Sequence, residues 1–325
     1  MLNLNFKNKN FNLVKKFWIF VIVSAVIILA GLVDMFFVRH MNFGVEFSGG
    51  MRVQVEYETN DEEALKQAVS AYFKDAGYVV DGEPQREGAS GVKIFSYRIK
   101  TQVSGDEGVT VEAELEKALE EAGFEGIEVS QTAISSDAKN RLVRNAVIAV
   151  AVAVVVILAY IAIRFNLLAG VAAIIALLHD VLIMFALTTL FQIPVNTTFI
   201  AAVITIIGYS INATIVVFDR VRENIALPSN LEKTDAEIAE MSIMSTMARS
   251  ILTTLTTLVM IVCLAIFANA TIREFAYPII FGLIAGLYSS VLLSASTWVH
   301  LRKLFKQENK KPVKKIRKIK EQAKA

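Results

Sequence analysis

The sequence has few of the residues on which metal binding and nucleophilic catalysis usually depend. Its 325 residues include one cysteine, Cys263, and three histidines, His40, His179 and His300. A single cysteine excludes an internal disulfide and a metal site built from cysteines. A metal-dependent phosphohydrolase would need more histidines around His179 than the other two, which lie at the edges of apolar stretches. Since no glycine-rich phosphate-binding loop is present either, we expect no enzymatic activity, no cofactor and no metal.

Charged residues are scarce as well. They make up 20% of the chain with a net charge of +2, and nothing in that balance points to nucleic acid as a partner. Apolar residues, in contrast, make up 54% of the chain, and the mean hydropathy is +0.51. Soluble globular chains are rarely so apolar, so the composition favours an integral membrane protein.

Six apolar stretches are long enough to cross a membrane, because a hydrocarbon core of about 30 Å needs roughly 20 residues of helix. They run over Phe17–Val38, Asn140–Ile163, Leu167–Phe191, Thr197–Phe218, Ser250–Ala270 and Ala276–His300. No small-residue cleavage site follows the first stretch, so it is predicted to be a retained anchor rather than a signal peptide. A long soluble segment follows the first stretch, and a charged connection is predicted between the fourth and the fifth.

Lysine and arginine residues in the flanks set the expected orientation. With six crossings, one side of the membrane receives Lys7, Lys9, Lys15, Lys16, Arg164, Arg220, Arg222, Lys233, Arg249, Lys310, Lys311, Lys314 and Lys315. The short connection on the other side offers chiefly Arg273. Both termini are therefore predicted to be cytoplasmic. The basic tail is expected to contact anionic lipids, with ribosome or nucleic-acid contact as a weaker alternative.

The segment between the first two crossings alternates strand-like and helix-like patterns. Strands are predicted over Met51–Glu58, Val92–Lys100 and Ile127–Ile134, helices from Asp61 and over Val111–Ala122, a candidate edge strand over Val79–Glu83, and loops at 81–82 and 104–106. This order predicts a small α+β domain of the ferredoxin-like type. No histidine or cysteine occurs between Gly44 and Asp137, so we expect a binding or lever module.

The predicted fold is thus a multi-pass α-helical membrane protein with six transmembrane helices and an inserted ferredoxin-like domain. Its parts are a cytoplasmic N-terminus (1–16), transmembrane helix 1 (17–38), an extracytoplasmic α+β domain (39–139), transmembrane helices 2–6 (140–303) and a basic cytoplasmic tail (304–325).

Polar residues inside the apolar stretches are the candidate functional groups, because charge in a bilayer is costly. His179 and Asp180 lie near the middle of the third stretch. They either carry function, with a partner or a water path, or form neutral hydrogen bonds that fix helix packing. Helical spacing places three further groups on single faces: Thr205, Gly208, Asn212 and Asp219; Arg249, Thr253, Thr256 and Met260; and Gly282, Gly286, Ser290 and Ser294. The last group is predicted to pack against another helix or against a partner.

Three motifs carry a resemblance to a known family. The first is FGVEFSGG at 43–50, with Gly44, Glu46, Gly49 and Gly50; the second is IGYSINAT at 207–214, followed by VVFDRVREN with Asp219, Arg220, Arg222 and Glu223; the third is Arg249 before Leu252-Thr253-Thr254. Together with the pair His179-Asp180 and the topology, they resemble the SecD/SecF family of protein-export membrane proteins, in particular its SecF branch, within the RND superfamily.

The resemblance implies an auxiliary subunit of the Sec protein translocase that assists preprotein export with SecD and uses the proton motive force. It implies a bacterial cytoplasmic membrane location and, as partners, SecD, the SecYEG channel, YajC as a further candidate, translocating preproteins and membrane lipids. A proton pathway is expected through His179, Asp180, Asn212 and Arg249. The alternatives are a non-conducting scaffold of the SecD/SecYEG assembly and one half of an RND-like small-molecule exporter.

The sequence departs from the family pattern at Ala213, where the family usually has an aspartate. The resemblance implies that this aspartate belongs to the proton relay, together with Arg249. Alanine does not titrate, so the relay here uses other groups or the chain is uncoupled, and an engineered replacement would look the same. The motif from Asp219 to Glu223 has either a structural or docking role or that of a salt-bridged helix end.

Overall fold

The computed structural model describes residues 11–59, 61–80, 84–87, 93–100, 111–268 and 270–306. Several predicted features lie outside these ranges: the lysines at 7, 9 and 310–315, the loops at 81–82 and 104–106, and residue 92 of the second predicted strand.

Six helices in the described ranges are long and apolar enough to cross a membrane, so the chain is a multi-pass α-helical membrane protein. The first is α1 (Phe17–Val33), which continues as a π-helical turn at Asp34–Val38. The next four are α5 (Ser136–Arg164), α6 (Leu167–Leu190), α7 (Thr197–Ala226) and α8 (Asp235–Phe267). The last crossing consists of α9 (Ala270–Tyr288), a π-helical segment (Ser289–Ser294) and α10 (Ala295–Leu304). Large apolar side chains on α1 and α5, such as Ile22 and Val147, are exposed, as lipid-facing side chains are.

The predicted boundaries between the fourth and fifth crossings are wrong. Helix α7 continues beyond Phe218, and α8 begins well before Ser250. The predicted charged connection is therefore mostly helical. The turn itself is short and contains a 3₁₀ turn at Pro228–Asn230, followed by a capping box at the start of α8. The charges end the apolar run in the sequence, but these helical extensions still bury one face each, through residues such as Val221 and Ile243.

Different contacts hold the two ends of the helix bundle. At the end that holds the first and last described residues, the backbone N–H groups of Leu13 and Val14 donate to the Glu240 carboxylate at 3.1 and 3.2 Å, and Arg302 pairs with Asp235 at 3.0 Å. We call this end the terminal side. At the other end, the domain side, the chain leaving α1 pairs with the α6–α7 connection through Val195 N–H and Asn42 O at 2.7 Å.

The domain inserted between α1 and α5 is a five-stranded antiparallel sheet with two helices on one face. After the short helix α2 (Val45–Ser48) come β1 (Gly50–Tyr57), α3 (Glu62–Asp75), β2 (Val79–Val80), β3 (Gln85–Glu87), β4 (Lys93–Lys100), α4 (Val111–Glu121) and β5 (Glu128–Ile134). The strand order is β2-β4-β1-β5, and β3 also pairs with β4. The three main strands and both helices confirm the sequence prediction. Val79 and Val80 of the predicted edge strand form β2, the rest of that prediction (81–83) lies outside the described ranges, and β3 was not predicted.

The two faces of the sheet differ in polarity. On one face, alternate residues of β1 such as Val53 and Val55 are fully buried against Leu65 of α3 and Leu115 of α4, which stabilises the domain by about 1.5–3 kcal/mol for each large side chain. The other face carries the intervening polar residues, among them Arg52. Because this polar face contacts the spanning helices, it positions the domain on the bundle.

Candidate functional site

A buried carboxylate lies at the centre of the helix bundle. Asp180 of α6 is fully buried. Its Oδ2 accepts hydrogen bonds from Ser210 Oγ of α7 and from Ser289 Oγ, the latter at 2.8 Å. Its Oδ1 lies 2.8 Å from Nδ1 of the neighbouring His179. Three spanning segments therefore converge on one acidic group, and each supplies a polar side chain.

The imidazole of His179 extends this centre toward the first crossing. Its Nε2 lies 2.7 Å from Ser24 Oγ of α1, and its ring stacks on Tyr288 at 5.8 Å between centroids. The Tyr288 hydroxyl donates to the backbone oxygen of Phe20 at 2.8 Å. A serine hydroxyl can either donate or accept. The contact with Ser24 is therefore compatible with either tautomer of the imidazole.

Local backbone features make room for this centre. Helix α9 gives way to the π-helical segment at Ser289, the residue that binds Asp180, and π-turns inside helices are frequently found at functional sites. One turn earlier, a Cβ atom at Gly286 would lie 3.4 Å from the Ser210 Cβ and 3.6 Å from Asp180 Oδ2. The small residue lets α9 approach both α6 and α7, which brings the two serines onto one carboxylate oxygen.

Asn212 and Arg249, the other two residues of the predicted pathway, lie elsewhere. Both line an open cavity of about 920 Å³ toward the terminal side, between α7 and α8. Asn212 follows Ser210 by two residues, which places it roughly 200° around the helix, so it points away from Asp180. Within the described part of the chain, the Arg249 side chain makes no hydrogen bond or ion pair, and it is exposed. The structure thus divides the predicted pathway into a buried centre and a cavity.

Ala213 lies between these two regions. It follows Ser210 by three residues, about 300° around α7, so its direction falls between those of Ser210 and Asn212. Its side chain is half-buried. A titratable side chain at this position would stand one helical turn from the hydrogen-bond donor of Asp180 and next to the cavity.

The charged motif at the end of the fourth crossing forms ion pairs beside the same cavity. Asp219 accepts two hydrogen bonds from Arg164 of α5 at 2.7 and 2.9 Å, and Arg222 lies 3.4 Å from it. Arg220 pairs with Glu223 at 2.6 Å and donates to Ser245 of α8 at 3.1 Å. These contacts join α5, α7 and α8 on the terminal side.

The small-residue ridge of the last crossing faces helices of the same chain. A Cβ at Gly282 would overlap the side chain of Ile206 of α7, and Gly286 approaches Ser210 and Asp180 as described above. Ser290 and Ser294 are fully buried and lie in the π-helical segment, which changes the spacing of four that the sequence suggests. Within the described residues, this ridge leaves no open face for a partner.

The glycine motif after α1 forms the junction with the domain. Gly44 N–H donates to Val195 O at 2.9 Å, and Gly49 and Gly50 have φ values of +78° and +104°. Such φ values favour glycine, and a Cβ at Gly50 would lie 2.5 Å from the backbone oxygen of Ile99. Glu46 Oε2 is buried and has no hydrogen-bond partner among the described residues.

Sequence reasoning identified His179 and Asp180 but missed most of their partners. Ser24, Ser210, Tyr288 and Ser289 are ordinary residues in apolar helices, and Ser24 is 155 positions from His179. Ser210 stands inside the motif at 207–214 but was not assigned a role. The signal that could have found Ser210 and Ser289 is their place on the buried faces of two helices that both carry small residues.

Comparisons with known proteins agree with this architecture. The model of the C-terminal region of the protein export membrane proteins SecD/SecF matches residues 114–304, and the model of the SecD/SecF GG motif matches residues 35–61. The protein translocase subunit SecF of Sebaldella termitidis is 33% identical over 90% of this chain and 92% of its own length. The protein translocase subunit SecDF of Bacillus subtilis is 32% identical over 86% of this chain.

A solved structure extends the likeness to three dimensions. The crystal structure of SecDF, a translocon-associated membrane protein from Thermus thermophilus, has a TM-score of 0.73 and 29% sequence identity over 91% of this chain. This chain spans only 39% of that SecDF chain and 36% of the Bacillus subtilis SecDF. The match in sequence and in fold covers the spanning helices and the glycine motif alike, and the chain therefore belongs to the SecD/SecF family of protein export membrane proteins.

Proposed function

We propose that this chain is an auxiliary subunit of the Sec protein translocase that assists preprotein export with SecD and uses the proton motive force. The observation that carries the proposal is the fully buried Asp180, which accepts hydrogen bonds from two other spanning segments. Ionisable groups inside a membrane are costly and mark proton or ion pathways. A proton that binds Asp180 must change the contacts of three segments together, so the site is suited to couple proton transfer to helix movement.

The relatives support the rest of the proposal. SecF subunits and the longer SecDF chain share this fold, and the present chain corresponds to about two fifths of a SecDF. SecD is therefore the partner that we propose, with SecYEG and YajC as further members of the assembly and with preproteins as the substrate. Because the relatives reported above are protein translocase subunits, a small-molecule exporter half is less well supported.

The proposed orientation follows from charge. The terminal side carries Arg164, Arg220, Arg222 and Arg249, so we propose that it is cytoplasmic and that the domain is extracytoplasmic. The strand order β2-β4-β1-β5 with two helices on one face supports a ferredoxin-like assignment for residues 39–139. In this scheme 1–16 and 304–325 are the cytoplasmic ends, 17–38 is the first crossing and 140–303 holds the other five, in a bacterial cytoplasmic membrane in contact with its lipids.

The energy available is sufficient for such a role. One charge that moves through 100 mV releases about 2.3 kcal/mol, which is enough to shift a two-state equilibrium by well over tenfold. The cavity with Asn212 and Arg249 supplies an entry from the terminal side. We propose that His179 and Asp180 hold the proton in the bundle, and that Asn212 and Arg249 connect this centre to the cytoplasm.

Ala213 favours a second candidate, a non-conducting scaffold of the SecD/SecYEG assembly. It occupies the place on α7 between Asp180 and the cavity, where the family motif has an acidic residue. Without a titratable group there, a proton must pass between the buried centre and the cavity by another route. A scaffold needs no such route.

Three substitutions separate the two candidates: Ala213→Asp, the matched uncharged control Ala213→Asn, and Asp180→Asn. Each variant is reconstituted with SecD and SecYEG in vesicles, and preprotein export is measured with and without an imposed proton gradient. A motor predicts that Asp180→Asn abolishes the stimulation by the gradient and that Ala213→Asp increases it while Ala213→Asn does not. If all three variants assemble and export as the parent does, the chain acts as a scaffold.

A further inference from the structure

A buried polar contact on the domain side joins the soluble domain to two spanning helices. Glu274, in the first turns of α9, uses both of its carboxylate oxygens. Its Oε1 lies 3.2 Å from Nη2 of Arg52 on β1, and its Oε2 accepts a hydrogen bond from Nδ2 of Asn196 at 2.5 Å. Glu274 is 7% and Asn196 3% exposed. We call Arg52, Glu274 and Asn196 the junction bridge.

The domain end of the bridge is held firmly by the sheet. Arg52 lies in β1, which pairs with both β4 and β5. Its Nε donates to Ser96 Oγ of β4 at 2.8 Å, so its guanidinium spans two strands before it reaches Glu274. A planar guanidinium fixed on one edge presents its other donors in a defined direction. A displacement of Glu274 therefore acts on the sheet as a whole rather than on one mobile side chain.

The membrane end of the bridge is held by the start of α7. Asn196 is the N-cap of this helix, and its Oδ1 accepts from Phe199 N–H at 3.0 Å and from Thr198 Oγ1 at 2.6 Å. These two bonds fix the amide so that its nitrogen faces Glu274. The N-cap of α7 is thus itself a member of the junction bridge.

Helix α7 connects this end to the buried carboxylate. It runs without interruption from Thr197 to Ala226, and Ser210, the donor to Asp180, follows Asn196 by fourteen positions, or about 21 Å of helix at 1.5 Å per residue. A helix of this length moves as a stiff element. A displacement at Ser210 is therefore transmitted along the helix toward Asn196.

The first turns of α9 are free to follow α7. Pro278 lies inside α9, four residues after Glu274. Proline has no N–H, so it cannot donate the helical hydrogen bond to the Glu274 carbonyl, and it weakens the helix at that point. The segment that carries Glu274 can therefore move with Asn196 while the rest of α9 stays packed against α6 and α7.

We propose that the junction bridge is the element that transmits displacement of α7 to the soluble domain. The proposal rests on the proposed function, because protonation at Asp180 supplies the displacement. The three residues position the domain relative to the bundle. Because the domain is the part of the chain outside the bundle, its displacement acts on the export substrate.

The test measures domain movement and export separately. In a Cys263→Ser background, Glu128→Cys on β5 and Leu167→Cys at the start of α6, both exposed positions outside α7 and outside the bridge, carry spin labels in the complex with SecD and SecYEG in vesicles. The distance between the labels is measured with and without a proton gradient, and preprotein export is measured under the same conditions. The variants are Arg52→Gln, Glu274→Gln and the conservative Arg52→Lys, with Glu56→Gln as a control that removes a charge from the same face of β1.

Arg52→Gln and Glu274→Gln are expected to abolish the gradient-dependent change in distance and to lower gradient-stimulated export by about fivefold or more, the lower range for coupled sites. Arg52→Lys, which keeps the charge, is expected to retain most of the response, and Glu56→Gln all of it. The amount of assembled complex is recorded for each variant, so that loss of folding is recognised.

The outcomes distinguish this proposal from the function on which it rests. If the parent responds to the gradient and the assembled Gln variants respond equally, the bridge is refuted and the motor stands. If the parent shows neither a change in distance nor stimulated export, the motor is refuted, and the bridge with it, because there is no displacement to transmit. If the Gln variants do not assemble, the response of Arg52→Lys is compared with that of Glu56→Gln, and a smaller response in Arg52→Lys supports the bridge. An equal response means either that the bridge has no role or that the charge at position 52 alone suffices. Ser96→Ala, which releases the guanidinium, separates these two cases. A full response in Ser96→Ala then overturns the proposal.

Discussion

The contact between Gly282 and Ile206 gives the sharpest test of the packing that surrounds Asp180. A Cβ at Gly282 would overlap Cγ1 of Ile206 and would lie 2.7 Å from both Cδ1 and Cγ2 of the same side chain. Gly208, in contrast, has nothing within 4 Å of an added Cβ. Alanine improves helix propensity by about 0.5–1 kcal/mol over glycine at either site, so the difference between the two variants isolates the clash.

Overpacking of a well-packed site costs about 1–3 kcal/mol. We therefore expect Gly282→Ala to be less stable than Gly208→Ala by about that amount when the purified chain is unfolded reversibly in mixed detergent micelles. Ile206→Ala removes the three atoms that an added Cβ would meet, so it should relieve most of the clash in the double variant with Gly282→Ala. Equal unfolding free energies for Gly282→Ala and Gly208→Ala would refute the packing that brings Ser210 and Ser289 onto Asp180.

Three further predictions concern other parts of the chain. Arg164→Gln, which removes the two-point contact with the partly exposed Asp219, is expected to cost no more than about 1 kcal/mol in the same unfolding assay, whereas a larger loss would show that Asp219 holds more of the bundle. Burial and then the hydrogen bond to Glu114 raise the pKa of Tyr72 to about 12. The stabilisation from its protonated form is therefore complete below pH 10 and is lost as the pH rises from about 10 to 12. Tyr72→Phe should remove one late-titrating phenol from an absorbance titration and flatten this fall in stability. Glu240→Gln weakens the acceptor for the Leu13 and Val14 N–H groups, and hydrogen exchange at those two amides should increase while exchange at the Thr234 cap stays unchanged.

The sequence was sufficient for the spanning helices because each is encoded by one continuous apolar run. It was also sufficient for the main strands of the domain, where residues from Met51 to Tyr57 alternate between buried and half-buried as predicted. It failed at the ends of α7 and α8, because there the helix is stabilised by one buried face and by the capping residue Thr234, and mean hydropathy is low on both sides of the turn.

The candidate site could be predicted only in part, for a similar reason. A histidine and an aspartate in the middle of an apolar helix are noticed because lipid makes them costly. The serines that bind them carry no such cost and occur throughout the chain. Their role depends on which helices approach each other, and that approach depends on Gly282 and Gly286, whose partners Ile206 and Ser210 are far away in the sequence. Asn212 and Arg249 were grouped with Asp180 by family resemblance, and the structure places Asn212 on another face of α7 and Arg249 on α8, both beside the cavity.

The exposed polar face of α7 and α8 is the strongest physical argument that this chain works as one half of a pair. Thr205, Gly208 and Asn212 are exposed along α7, and Arg249 and Thr253 along α8. These residues lie outside the packed bundle, so in an isolated chain part of this face would meet lipid, where a polar group without a partner costs several kcal/mol. A second helical half can cover the face and supply hydrogen bonds, and about three fifths of the Thermus thermophilus SecDF chain lies outside the part that this chain matches. We therefore expect Arg249→Ala to reduce binding of SecD in a pulldown from mild detergent while the bundle around Asp180 stays folded. If SecD binds Arg249→Ala as strongly as the parent chain, and the parent's Arg249 remains open to a water-soluble modifying reagent in the complex, the face is a channel wall and not an interface.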